Sequence, residues 1–384
     1  EREGNEEAMT RAEQVVKENL VETAARYYLA AERAMLDAEE SGSAQQLEDA
    51  RQQFDYAARI YADFLSSYPG DPLAYEMQLY YAQALLLAGR YEDAAAQFAG
   101  VRDSVLSDEY MEVPAAMTIQ SYERALQEGI DSGRLEGRAW PAYEGPNAWA
   151  EPEIDEDPRA PREPVTPAAI PAVSLAWAEA IDAYLRLGLT SEDDPAAPTR
   201  YGYQVAKLYY DHQHYPEART GFERVLDVCN PNIDESGYAA GFLINSYRRV
   251  GDDVRELLDD FQTGKYRTCV PQRMMAEILA DVTRVSLGQR AERAERYFAE
   301  AKYEEAAEEY ARIATEYRDD PEFAPLGVWN SGLIYEQQLQ RYERAIAQFD
   351  RLIAEYPSSE YVDDAWVRIA INAKRFFDFD RAID

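Results

Sequence analysis

Two stretches of this chain, thirty-nine residues apart, carry the same pattern. In the segment from Tyr342 the apolar or small residues are Tyr342, Ala345, Ile346, Phe349, Leu352, Ile353 and Tyr356. In the segment from Tyr303 they are Tyr303, Ala306, Ala307, Tyr310, Ile313, Ala314 and Tyr317, at identical offsets. A spacing of three and four residues draws one stripe along a helix of 3.6 residues per turn and is incompatible with the two-residue period of a strand. The small residues near the start of the stripe leave a shallow face that a second helix can approach closely.

The same offsets recur from Phe54, Tyr91 and Tyr215, and in weaker form from Trp177, Val254 and, cut short, Phe379. Most units are 37 to 39 residues long, with two longer intervals of 86 and 49 residues. Between copies lies a second helical pattern, as in the run after Pro357 that places Tyr361, Ala365, Trp366, Ile369 and Ala370 inward. Pro69, Pro357 and Gly89 stand where helices should stop. Each unit is therefore a pair of antiparallel helices, and a pair cannot bury its apolar face alone. Stacking successive pairs buries a continuous core. The expected fold is all-α, a right-handed superhelical solenoid of about eight helical hairpins.

The Tyr-x-x-Ala openings, the aromatic at offset 7 and the closing Tyr-Pro of "SSYPGDP" and "AEYPSSEY" resemble the tetratricopeptide repeat family, although these units exceed its usual length of about 34 residues. The Tyr-Pro-x-Ser-x-Tyr wording further resembles the periplasmic and outer-membrane-assembly branch of that family in Gram-negative bacteria. The resemblance implies a non-catalytic scaffold that mediates protein–protein interaction in a cell-envelope assembly. A structural subunit self-associating through the edges of the solenoid is the alternative, and a glycan-directed enzyme the third. The implied location is the periplasm or the outer membrane, with the cytoplasm as the alternative. Any signal peptide or lipid-anchoring cysteine would precede Glu1, and the repeat that opens at Phe379 is expected to continue past Asp384.

Charge narrows the partners. There are 73 acidic against 39 basic residues, a formal net charge of −34, and only Lys17, Lys207, Lys265, Lys302 and Lys374 among the lysines. Such a field repels phosphate backbones and anionic lipid, which disfavours nucleic acid and membrane surfaces. The acids are spread through every repeat, as on a solvated surface suited to high salt; a docking face for a basic partner or divalent cations is the sharper alternative. No apolar run reaches the length of a membrane span.

The 86-residue interval begins helically, with Tyr122, Ala125 and Leu126 imitating the motif before Gly129. From Ser132 to Pro171 the sequence is dense in proline and acid and cannot be a regular helix. The expected organisation is an N-terminal block over 1–130, a Pro-rich acidic linker or insert over 131–172, and a C-terminal block over 173–384. Trp140, Tyr143 and Trp149 are apolar anchors within the insert. They are expected to pack back onto the chain, or else to serve as a strap for a partner. The extra residues of the 49-residue interval are expected to lengthen a helix or add a turn.

Chemistry is sparse. Cys229 and Cys269 are the only cysteines and fall at offsets 14 and 15 of consecutive units, so the ends that carry them should be neighbours and a disulfide is expected. That bond would imply an oxidising compartment. His212 and His214 are two apart and point about 200° apart on a helix, so they do not form a metal pair; they read as polar residues at a helix end. No phosphate loop, nucleophile motif or zinc motif is present, and no metal or cofactor is expected. Asn245, Asn330 and Asn372 do not share a register and lysine is scarce, so a clamp for a C-terminal carboxylate is not supported. Tyr75 and Tyr238 lie off the stripe and are candidate groove residues.

Overall fold

The computed structural model describes residues 2–105, 111–141, 166–189 and 194–375. Among these residues, all regular structure is helical: fifteen α-helices and one short 3₁₀ turn. The opening at Phe379 lies outside them. Among the described residues, contacts define two compact units, one formed by residues up to 141 and from 167 to 224, the other by residues from 225 onward.

The first unit contains four hairpins. They are α1 (Arg2–Ser41) with α2 (Ala44–Ser67), α3 (Ala74–Leu87) with α4 (Tyr91–Arg102), α5 (Glu112–Asp131) with α6 (Ala172–Arg186), and α7 (Ala197–Asp211) with α8 (Tyr215–Val228), whose last residues pass into the second unit. The second unit continues with α9 (Asp234–Val250), the short α10 (Arg255–Gln262), α11 (Met275–Ala299), α12 (Tyr303–Glu316), α13 (Phe323–Gln337), α14 (Tyr342–Glu355) and α15 (Val362–Arg375). From α1 to α7 each helix packs on the next in chain order, and so it is from α11 to α15, as stacking of hairpins requires.

The repeated stripe builds the core. In the first unit Ala57, Ala58 and Phe64 of α2 meet Ala24 of α1, Leu85 of α3 and Phe98 of α4. In the second, Ala306 and Ala314 of α12 join Val328 of α13, Phe349 of α14 and Ile369 of α15. Phe54 and Tyr215, the first stripe residues of their copies, are buried, and Tyr342 is half-buried. Helix α1, which the repeat pattern does not cover, turns Ala24, Ala31 and Ala38 inward at a spacing of seven.

Two turns recur in register. The residue two before the second helix is left-handed in four hairpins: Gly89, Gln213, Ala301 and Gln340, with φ of 81°, 62°, 57° and 53°. Only the first is the glycine that such a backbone favours. Between hairpins an aspartate precedes a proline and accepts from backbone N–H groups at the approach to the next first helix. Asp71 Oδ1 accepts from the Leu73 N–H at 2.9 Å, and Asp320 Oδ1 from the N–H groups of Glu322 and Phe323 at 3.0 and 2.7 Å.

The two long intervals resolve differently. The Pro-rich insert connects α5 to α6, and these two helices pack together: Ala115, Ile119 and Leu126 meet Trp177, Ala178 and Ile181. The insert thus lengthens the connection within one hairpin. Helix α5 runs to Asp131, past Gly129. In the 49-residue interval α10 shrinks to 8 residues and α11 grows to 25.

The even distribution of acid in the sequence hides two carboxylates that are not solvated. Glu309 is 3% exposed and its oxygens accept from Arg290, Arg293 and Arg312 at 2.8, 3.4 and 3.3 Å. Glu336, 2% exposed, accepts from Arg368 and Arg375 of α15 at 3.1 and 3.4 Å. Exposed pairs also join successive second helices: Arg90, just before α4, reaches Asp55 of α2 at 3.1 Å, and Arg341, just before α14, reaches Glu304 of α12 at 2.6 Å.

Candidate binding groove

In the second unit the first helices α11 and α13 lie on either side of a pocket of about 270 Å³, with α12 behind it. Helix α13 contributes one stripe: Asn330, then Leu333 and Ile334, then Gln337, a spacing of three to four that keeps them on one side of the helix. Glu295 and Phe298 face them from the last turns of α11, Tyr310 closes the back, and Gln338 stands at the end. The back wall is held tightly. A Cβ at Gly327 of α13 would sit 2.7 Å from the Tyr310 carbonyl oxygen, so α12 and α13 are in backbone contact there.

The lining is amphipathic. Phe298 is 40% exposed and meets Tyr303 edge-on at 5.4 Å, offering a free aromatic face. Leu333 is half-buried and Ile334 buried. The amides of Asn330, Gln337 and Gln338 both donate and accept, which suits the backbone of an extended peptide. The one charged group is Glu295. Burial, and after it the Glu295 charge, push the Tyr310 hydroxyl up to about 12, so it stays protonated and able to donate at neutral pH. The arrangement is suited to binding.

A second pocket, of about 320 Å³, lies where α1 crosses the turn between α2 and α3. Its one cation is already used: Lys17 Nζ donates to Asp71 Oδ2 at 2.6 Å, a bond that raises the lysine and lowers the aspartate.

The residues singled out from sequence fall as follows. Cys229 and Cys269 are at disulfide distance, with Sγ atoms 2.00 Å and Cα atoms 4.3 Å apart. His212 is buried, its Nδ1 2.9 Å from the Leu208 carbonyl, and His214 Nε2 lies 2.9 Å from the Ala168 carbonyl. The Ala168 N–H donates to the His212 carbonyl at 2.9 Å, so the pair brackets the stretch leading into α6. Trp140 is half-buried against the α5–α6–α7 core. Tyr143 and Trp149 lie outside the described residues. Tyr75 is only 6% exposed on α3, which leaves a partner little of it to touch, and Tyr238 is half-buried on α9. Asn245 and Asn372 are buried, whereas Asn330 lines the groove. Among the described residues no group of three or more His, Cys, Asp or Glu is placed to hold a metal ion, and no helix is long and apolar enough to cross a membrane. Sequence reading missed Glu295, Phe298, Leu333 and Gln337; their one signal is that they recur on the first helices, off the stripe.

Two tetratricopeptide repeat family profiles match the chain, over residues 44–104 and 328–359. The second includes most of the α13 side of the groove. Both matches support the tetratricopeptide repeat family. Among solved structures, the tetratricopeptide-repeat domain of P58(IPK) aligns over 92% of this chain and 90% of its own, at 14% identity and a TM-score of 0.26, too low to bear on this fold. No curated protein matches.

Proposed function

We propose that the protein is a non-catalytic repeat scaffold of a bacterial cell-envelope assembly and that it holds an extended segment of a protein partner between α11 and α13. The observation that carries the binding part is the α11–α13 groove. An accessible aromatic face, an aliphatic floor and three amides converge on one pocket, the mixture that peptide recognition needs. Support for the envelope comes from the cysteine pair, since disulfides persist in oxidising compartments, and from the Tyr-Pro-x-Ser-x-Tyr wording of the repeats.

The test of binding is a selection of random short peptides displayed on phage against the full chain, repeated with Phe298→Ala and Gln337→Trp. Both side chains reach solvent, so neither change should disturb the fold. Peptides that bind the wild type and are lost from both variants are expected. Selection of none, or of peptides indifferent to both variants, would defeat the groove as the binding site. For location, the chain taken from its native host and alkylated without reductant should show both cysteines blocked from the reagent; two alkylated thiols would argue against an oxidising compartment.

A further inference from the structure

We infer that the partner segment seated in the α11–α13 groove carries an apolar residue next to a lysine or arginine, and that it binds through the interior of a chain instead of a C-terminal carboxylate. The inference rests on the binding reading above. Its starting point is the charge of the lining. Glu295 is the single charged residue there and forms no ion pair among the described residues. Three other charged groups of α11–α14 are already matched: Lys302 donates to Glu300 at 2.7 Å, Arg341 to Glu304 at 2.6 Å, and Glu309 is enclosed by arginines. A cation entering the groove therefore meets one unneutralised carboxylate with no competing base in the lining, inside a molecule of formal charge −34. An anionic group meets the same carboxylate as a repulsion, with no lysine or arginine to receive it.

Position supplies the rest of the motif. Glu295 and Phe298 are three residues apart on α11, on one side of the helix, and Leu333 faces them from α13. A side chain resting on Phe298 and Leu333 leaves its chain neighbour within reach of Glu295, while Asn330 and Gln337 are placed to bond the intervening backbone. A lysine or arginine also lays its aliphatic stem on the aromatic face of Phe298 while its charged end stays in water beside Glu295.

The test uses the full chain and two synthetic peptides, acetylated and amidated so that neither carries a terminal charge: Gly-Ala-Leu-Arg-Ala-Gly and its Leu-Glu counterpart, each labelled for fluorescence anisotropy. The arginine peptide is expected to bind about tenfold more tightly at low salt, with the gap closing as salt is raised. Glu295→Lys should reverse the order, and Phe298→Ala should weaken both peptides. Equal binding of the two peptides with sensitivity to Phe298→Ala overturns the inference and leaves the groove as a peptide site. A preference for arginine that survives Glu295→Lys overturns it as well. Failure of both peptides to bind overturns it too; whether the groove binds peptide at all is then decided separately by the displayed library.

Discussion

The closeness of α12 and α13 can be tested with a single methyl group. A Cβ placed on Gly327 would stand 2.7 Å from the Tyr310 carbonyl oxygen and 3.2 Å from the Ile313 Cβ. Neither obstacle can swing aside, because one is helix backbone and the other is fixed to it. The helices must part by a few tenths of an ångström, in a well-packed seam where such overpacking costs about 1–3 kcal/mol. Alanine recovers close to 1 kcal/mol of helix propensity over glycine. Because both obstacles are fixed the cost lies in the upper half of that range, so the net expectation for Gly327→Ala is a loss of about 1–2 kcal/mol, read as a fall of roughly 0.5–1 M in the urea midpoint at unchanged m value. Gly100→Ala is the matched control. Its Cβ would meet Gln78 Nε2 at 2.5 Å, the far end of a flexible side chain held only by a 3.4 Å bond to Gln97. That amide can turn away, so Gly100→Ala should be neutral or stabilising by up to about 1 kcal/mol. Circular dichroism during urea unfolding distinguishes the two. If Gly327→Ala matches or exceeds the wild type, the back wall of the groove is not where the structure puts it.

Other expectations follow from single features. Ala301→Gly should stabilise the chain by about 1 kcal/mol in thermal or urea unfolding, because alanine is held left-handed there at φ 57°. Glu309→Ala should cost about 2–3 kcal/mol by the same assay, since it removes the 2.8 Å partner of the buried Arg290, which keeps only its ion pair with Glu316. Replacing both cysteines by serine should lower stability by about 2–4 kcal/mol, the entropy of closing a loop across the 40-residue separation, read as a lower urea midpoint. Glu123 is pushed up to about 7, chiefly by burial. Its folded form keeps a proton that the unfolded chain releases at lower pH. Its contribution is therefore complete at about pH 4 and lost as pH rises through about 7, a difference of up to about 3 kcal/mol. Urea unfolding at about pH 5 and about pH 8 should show that loss in the wild type and a smaller one in Glu123→Gln.

Much of this fold was legible because one helix of each hairpin repeats a strict code. Tyr91, Tyr215, Tyr303 and Tyr342, read as starts of the stripe, are the first residues of α4, α8, α12 and α14. The cysteines were legible for the same reason: equivalent positions in consecutive units become neighbours when units stack. Which helix of its hairpin α5 would be was not. Tyr122, Ala125 and Leu126 of α5 imitate the second-helix motif, although α5 pairs with α6 as the first helix of its hairpin. Both helices of a hairpin bury aromatics against small residues, so periodicity alone does not say which is which. Tyr75 lies off the stripe yet is buried, because a first helix packs on more than one side. Glu309 and Glu336 read as surface acids because most of the arginines that surround them come from a different helix. The groove was least visible of all. Glu295, Phe298 and Gln337 look like any outward-facing residues until α11 and α13 are set side by side.

The most direct measurement is hydrogen exchange of the full chain, alone and with a peptide selected from the displayed library. Slower exchange confined to the last turns of α11 and to the Asn330–Gln337 stretch of α13 is the predicted result. Protection elsewhere, with these two segments unchanged, would contradict the assignment of the α11–α13 groove as the place where this scaffold holds its partner.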